Sequence, residues 1–167
     1  AEAKTWLNSL LKECGIDYSR LIVCPGNHDI DRKLAEKIPR PTSTAEANKV
    51  LEVPIAEHFI LPFQRFIDFC IACDIPALVF GDDKSHLVGT RDIDNLRFAV
   101  FNSAWFSKDD KDQGMLRLGF PHMRHLEASG QLPLVQFDGK NLIMVALSHH
   151  PYDWLHEEEK YCQSAFP

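Results

Sequence analysis

The chain has 167 residues, 45% of them hydrophobic and 25% charged, which is enough to bury a substantial core as one globular domain and excludes a disordered or fibrous sequence. A formal net charge of -6 argues against a surface built to coat nucleic acid, whose phosphates are held by clustered Lys and Arg; bound divalent cations can still supply the positive field that a phosphate substrate needs. No apolar run approaches the roughly 18 residues of a transmembrane helix, Ala1-Glu2-Ala3-Lys4 does not begin a signal peptide, and five irregularly spaced cysteines fit a reducing compartment, so a cytoplasmic protein without a membrane partner is expected.

From Glu2 to Cys14, Trp6, Leu7, Leu10 and Leu11 recur at helical spacing and Gly15 supplies a stop, predicting an amphipathic helix. Arg20-Leu21-Ile22-Val23-Cys24 is a short apolar run ended by Pro25-Gly26, the pattern of a buried parallel strand opening into a loop. Pro39, Pro41 and Pro54 punctuate residues 30–62, read as an insertion over the strand ends with one short helix at 43–51, capped by Ser43 or Thr44. Pro62 opens a helix that runs to about Cys73. On it, Cys70 and Cys73 have C-x-x-C spacing but read as two small apolar residues on a buried face, since no second Cys/His pair lies near in sequence.

Residues 81–85 read as a loop, and residues 86–93 and 96–102, split by the turn formers Asp94-Asn95, as a hairpin whose second strand is the more buried. A short edge strand is predicted at 114–118 and a helix at 121–129, ended by Gly130. Residues 141–147 carry the strongest strand signal in the chain, read as a buried strand that runs into Ser148-His149-His150-Pro151. The order is that of one α/β unit whose polar motifs follow strand C-termini, the edge at which open α/β sheets bind ligands.

Two loops carry the candidate chemistry. In Gly26-Asn27-His28-Asp29, Asn27 offers an amide oxygen, His28 a titratable nitrogen and Asp29 an acceptor for a ring or a loop amide. That set suits a hydrolytic site, and it also suits an ordinary turn with a satisfied histidine. In the second loop His149 and His150 bring two imidazoles, ligands for first-row transition metals whose coordination an amide oxygen completes, or else a packed pair bonded to the backbone. His122 and His125 read as a solvated helix face, His58, His86 and His156 as surface or packing residues, and Arg32 as an ion-pair partner of Asp29 or Asp31. Trp105 and Phe106 read as core or lid packing, and Glu157-Glu158-Glu159-Lys160 as a solvated helix face.

Leu21-Ile22-Val23-Cys24-Pro25-Gly26-Asn27-His28-Asp29 resembles the strand and Gly-Asn-His-Asp/Glu loop of the calcineurin-like metallophosphoesterases. Phe98-Ala99-Val100-Phe101-Asn102-Ser103 resembles the family's central strand and following loop, and Leu142-Ile143-Met144-Val145-Ala146-Leu147-Ser148-His149-His150-Pro151 the strand and histidine loop beyond it. The resemblance implies part of a four-layer α/β/β/α sandwich and hydrolysis of a phosphomonoester or phosphodiester. Two divalent metals, Mn, Fe or Zn, about 3.5–4 Å apart, would clamp the attacking and leaving oxygens and make a hydroxide nucleophile near neutral pH. It implies that Asn27 and His149 are metal ligands, that His28 faces the substrate and donates a proton to the leaving oxygen, that Asp29 orders its loop, and that His150 is a neighbour outside the ligand set. Nucleic acid would enter only as a substrate, in a nuclease of the same superfamily.

The family's Asp-x-His and Gly-Asp-x-x-Asp loops, expected earlier, and its closing Gly-His-x-His loop are not in this sequence. Residues 1–167 are therefore expected to be the middle of a catalytic domain, supplying part of the site and, alone, inactive and weak in metal binding. The alternative is a non-catalytic relative or fragment whose scaffold binds a partner.

Overall fold

A computed structural model describes residues 2–109, 111–132 and 143–160 and has a mixed α/β architecture built on one five-stranded mixed sheet. Among the described residues no helix is long and apolar enough to cross a membrane.

Helix α1 (Glu2–Cys14) buries Leu7 and Leu11, four residues apart on one face, and leaves Trp6 and Leu10 exposed. It stops where Gly15 takes φ +66°, so that Ile16 N–H reaches the Leu11 carbonyl at 3.1 Å and Gly15 N–H that of Lys12 at 3.2 Å. The predicted insertion holds α2 (Arg32–Ala35), α3 (Thr44–Val50) and α4 (Glu57–Ile60). Ser43 caps α3 by accepting from Glu46 N–H at 3.2 Å, the local signal that made this helix predictable. Pro62 sits in a 3₁₀ turn, Leu61–Phe63, and α5 (Gln64–Ala72) follows. Cys70 and Cys73 are buried and unpaired, the packing role expected of them; Cys162 lies outside the described residues.

The sheet runs β2-β1-β3-β4-β5, with β1 (Leu78–Phe80), β2 (Asp83–Ser85), β3 (Gly89–Ile93), β4 (Leu96–Val100) and β5 (Ile143–Leu147). The β3–β4 hairpin forms as predicted, with Asp94 at φ +55°, a conformation Asp tolerates better than most residues. Residues 81–85 are not simply a loop: Gly81 turns β1 into β2, two strands too short to leave a periodic signal. Residues 114–118 form no strand; Leu116 makes a single bridge to Leu155. Helix α6 (Phe120–Ala128) ends at Gly130 as predicted. Residues 141 and 142 of the predicted last strand lie outside the described residues.

Two expectations about strands are corrected. Tyr18–Arg20 is a 3₁₀ turn, and residues 21–26 are extended and half-buried to buried but pair with no strand among the described residues, because an apolar run makes a strand only where a neighbour offers its edge. The β5 strand, expected to be buried, is the last in the sheet order among the described residues, and its Ile143 is 56% exposed.

One core joins the sheet to the insertion and α6, with Phe63 edge-on to Trp105 at 5.5 Å and Phe59 edge-on to Phe106 at 6.0 Å. Trp105 and Phe106 are thus core residues. So is His122, which is fully buried beside Phe80 and Trp105 and not on a solvated face; burial pushes its imidazole down to about 4.

The short helix α7 (Glu157–Lys160) is also not wholly a solvated face: Glu159 is 3% exposed, its Oε2 accepting from Leu118 N–H at 3.3 Å and its Oε1 3.9 Å from the buried Arg117. Arg117 donates to Thr44 Oγ1 at 2.6 Å, and Glu158 lies 3.7 Å away. Burial pushes the Glu159 carboxyl up to about 6 despite the Leu118 N–H and Arg117. The folded chain therefore holds this proton more tightly than the unfolded chain, and the stability it contributes is lost as pH rises from the ordinary carboxylate range through about 6. Glu159→Gln is expected to flatten the pH dependence of unfolding over that interval by ~2 kcal/mol, read from denaturant melts at both ends of it.

Candidate functional site

The parallel pairing of β4 with β5 sets Val100 beside Leu147, and Phe101 N–H continues the ladder to the Leu147 carbonyl at 2.9 Å. The loops that follow, 101–106 and 148–154, therefore leave the sheet side by side. Residues 21–26 run along the sheet toward the same end: Arg91 Nη1, from the middle of β3, donates to the Leu21 carbonyl at 3.0 Å, and Cys24 Sγ lies 3.6 Å from the Phe101 carbonyl just past β4. Burial pushes the Cys24 thiol up to about 12, so it stays protonated and serves as a packing group.

Asn27 and His149, 122 positions apart in sequence, meet here: His149 Nε2 lies 3.1 Å from Asn27 Oδ1. The approach depends on Gly26, because a Cβ at that position would fall 2.7–2.8 Å from three atoms of the His149 ring. Asp29 fixes the loop, its Oδ2 accepting from Gly26 N–H at 2.8 Å while its own N–H donates to the Gly26 carbonyl at 3.1 Å. Asp31 caps α2 through Lys33 and Leu34 N–H, so both carboxylates serve backbone groups in place of the ion pair expected with Arg32.

The donor pair suits a metal ion. Two atoms each ~2.1 Å from one ion and subtending about 90–110° there lie ~3.0–3.4 Å apart, a range that includes the Asn27–His149 spacing. Among the described residues no three His, Cys, Asp or Glu side chains group as a metal cage, so the fit extends to two donors.

His150 takes a different place from its neighbour. It is buried, its Nδ1 2.9 Å from Ser103 Oγ, its ring stacked on Trp154 at 5.6 Å and edge-on to His149 at 4.8 Å. Burial, with His149 alongside, pushes its imidazole down to about 4, so it is neutral near pH 7. His28 is exposed and faces a hollow of about 300 Å³ with Asp31, Arg65 and Phe66, whereas His149 borders a separate cavity of about 440 Å³ with Phe101, Leu147 and Met123. Asn27 and His149 are thus brought together, His150 is adjacent and buried, and His28 is at the outer side of its loop.

No protein-family model, curated protein or solved structure matches this chain. Sequence reasoning gave no role to Gly26 beyond the turn or to Ser103; Gly26 was conspicuous in the first motif, whereas a lone Ser after a strand carries no signal of its own.

Proposed function

We propose that this chain carries part of the active site of a metal-dependent phosphoesterase of the calcineurin-like type, acting on a phosphomonoester or phosphodiester, and that it is part of an α/β/β/α sandwich. The observation that supports this most is the 3.1 Å approach of Asn27 Oδ1 to His149 Nε2, two good donors delivered by separate loops to one end of the sheet. The extended run 21–26, which pairs with no strand among the described residues and lies against the sheet at Leu21 and Cys24, suits a second strand layer.

Two divalent ions, when bound, polarise the phosphoryl group and activate the attacking water. The chain's own share is more limited. Asn27 and His149 hold a metal, Asp29 keeps the Asn27 loop closed through Gly26, and His28 gives a proton to the departing oxygen. The exposed position of His28 suits contact with a substrate arriving from solvent.

Metal content and hydrolysis of simple aryl phosphates, cyclic nucleotides and DNA by the full-length protein test the reading together. About two divalent ions per chain with turnover of one of these classes is expected. A metal-free protein that hydrolyses none of them would support the non-catalytic scaffold instead.

A further inference from the structure

Ser103 follows β4 and is fully buried, as is most of His150. Its Oγ accepts from the His150 backbone N–H at 3.1 Å and lies 2.9 Å from His150 Nδ1, so one hydroxyl holds both the main chain and the ring of the residue next to His149. Trp154 stacks on one side of that ring at 5.6 Å with 22° between planes, and His149 meets it edge-on at 86°. Gly26 closes on His149 itself. The His149 imidazole, itself exposed, is therefore flanked by the Gly26 backbone and by a buried ring that Ser103 anchors. Ser103 is fully buried and does not line the cavity that His149 and His150 border, so any service it gives to the site passes through His150.

We propose that Ser103 is a positioning residue: its hydroxyl, through His150, sets the His149 imidazole against Asn27. The metal part of the test rests on the ligand roles proposed for Asn27 and His149; the geometric part does not.

The test compares wild type with Ser103→Ala in the full-length protein, by calorimetric titration with Mn²⁺ and by crystal structures of the metal-free forms. The Mn²⁺ Kd is expected to rise about tenfold, within the range usual for loss of a group that orients a ligand. In the metal-free variant the Asn27–His149 contact is expected to open beyond about 3.5 Å. A variant that melts lower but keeps both the contact and the wild-type Kd would overturn the proposal, since a purely structural Ser103 predicts that result. If wild type binds no Mn²⁺, the metal reading fails, and the crystal structures alone decide Ser103. Should the Ala variant not fold, Ser103→Cys, similar in volume but a weak donor, is expected to show a partial effect on the contact; a contact unchanged from wild type overturns the proposal.

Discussion

His28→Ala in the full-length protein is expected to depress phosphoester turnover by about 10²–10⁴ while leaving metal content near the wild-type level. The split follows from the positions of the two motif histidines. His149 Nε2 faces Asn27 Oδ1 at 3.1 Å, whereas His28, one residue past Asn27, is exposed. An imidazole within reach of a departing oxygen can give it a proton and relieve its charge. His149→Ala should give the complementary result, with loss of bound metal accompanying loss of rate. Steady-state kinetics on an aryl phosphate, beside metal analysis of the same preparations, checks the pair. Equal metal content and unchanged rates in both variants would defeat the assignment.

Gly26→Ala is expected to weaken metal binding by about 100-fold, the upper end of the range for disturbing a ligand's orientation. The added methyl would lie 2.7 Å from His149 Nδ1 and 2.8 Å from Cγ and Cε1, inside the distance at which either partner must move. The backbone has little room to retreat, since Gly26 N–H is held by Asp29 and its carbonyl by the Asp29 N–H. The ring is therefore what shifts, and the Asn27–His149 geometry shifts with it. The accompanying stability loss, on the order of 1–3 kcal/mol for overpacking, leaves a folded protein to titrate with Mn²⁺. A wild-type Kd in a folded Gly26→Ala variant would show that the close approach does not matter to the site.

What could be read in the sequence was local. The Ser43 cap, the Asp94-Asn95 turn and the Gly130 stop specify their elements within a few residues, and α3, the β3–β4 hairpin and α6 appear where those signals put them. The residues at 20–24 were misread as a paired strand because hydrophobicity reports a wish for burial, not the presence of a neighbouring edge. The apolar character of β5 likewise said nothing of its place at the end of the sheet order among the described residues. His122 and Glu159 were read as solvated because helices usually turn such residues outward; the contacts that bury them, with Phe80 and Trp105 in one case and Arg117 in the other, come from distant parts of the chain.

The site followed the same division. The two polar loops were visible because each follows an apolar run, and Asn27 and His149 do come within 3.1 Å. Ser103 was invisible, since its importance consists of two bonds to a residue 47 positions away.

The central claim is that Asn27 and His149 share a metal, and the metal content of full-length protein, wild type against His149→Ala, tests it most directly. About two divalent ions per chain are expected in wild type, falling to one or fewer in the variant. The same content in both, or none in wild type, would contradict it.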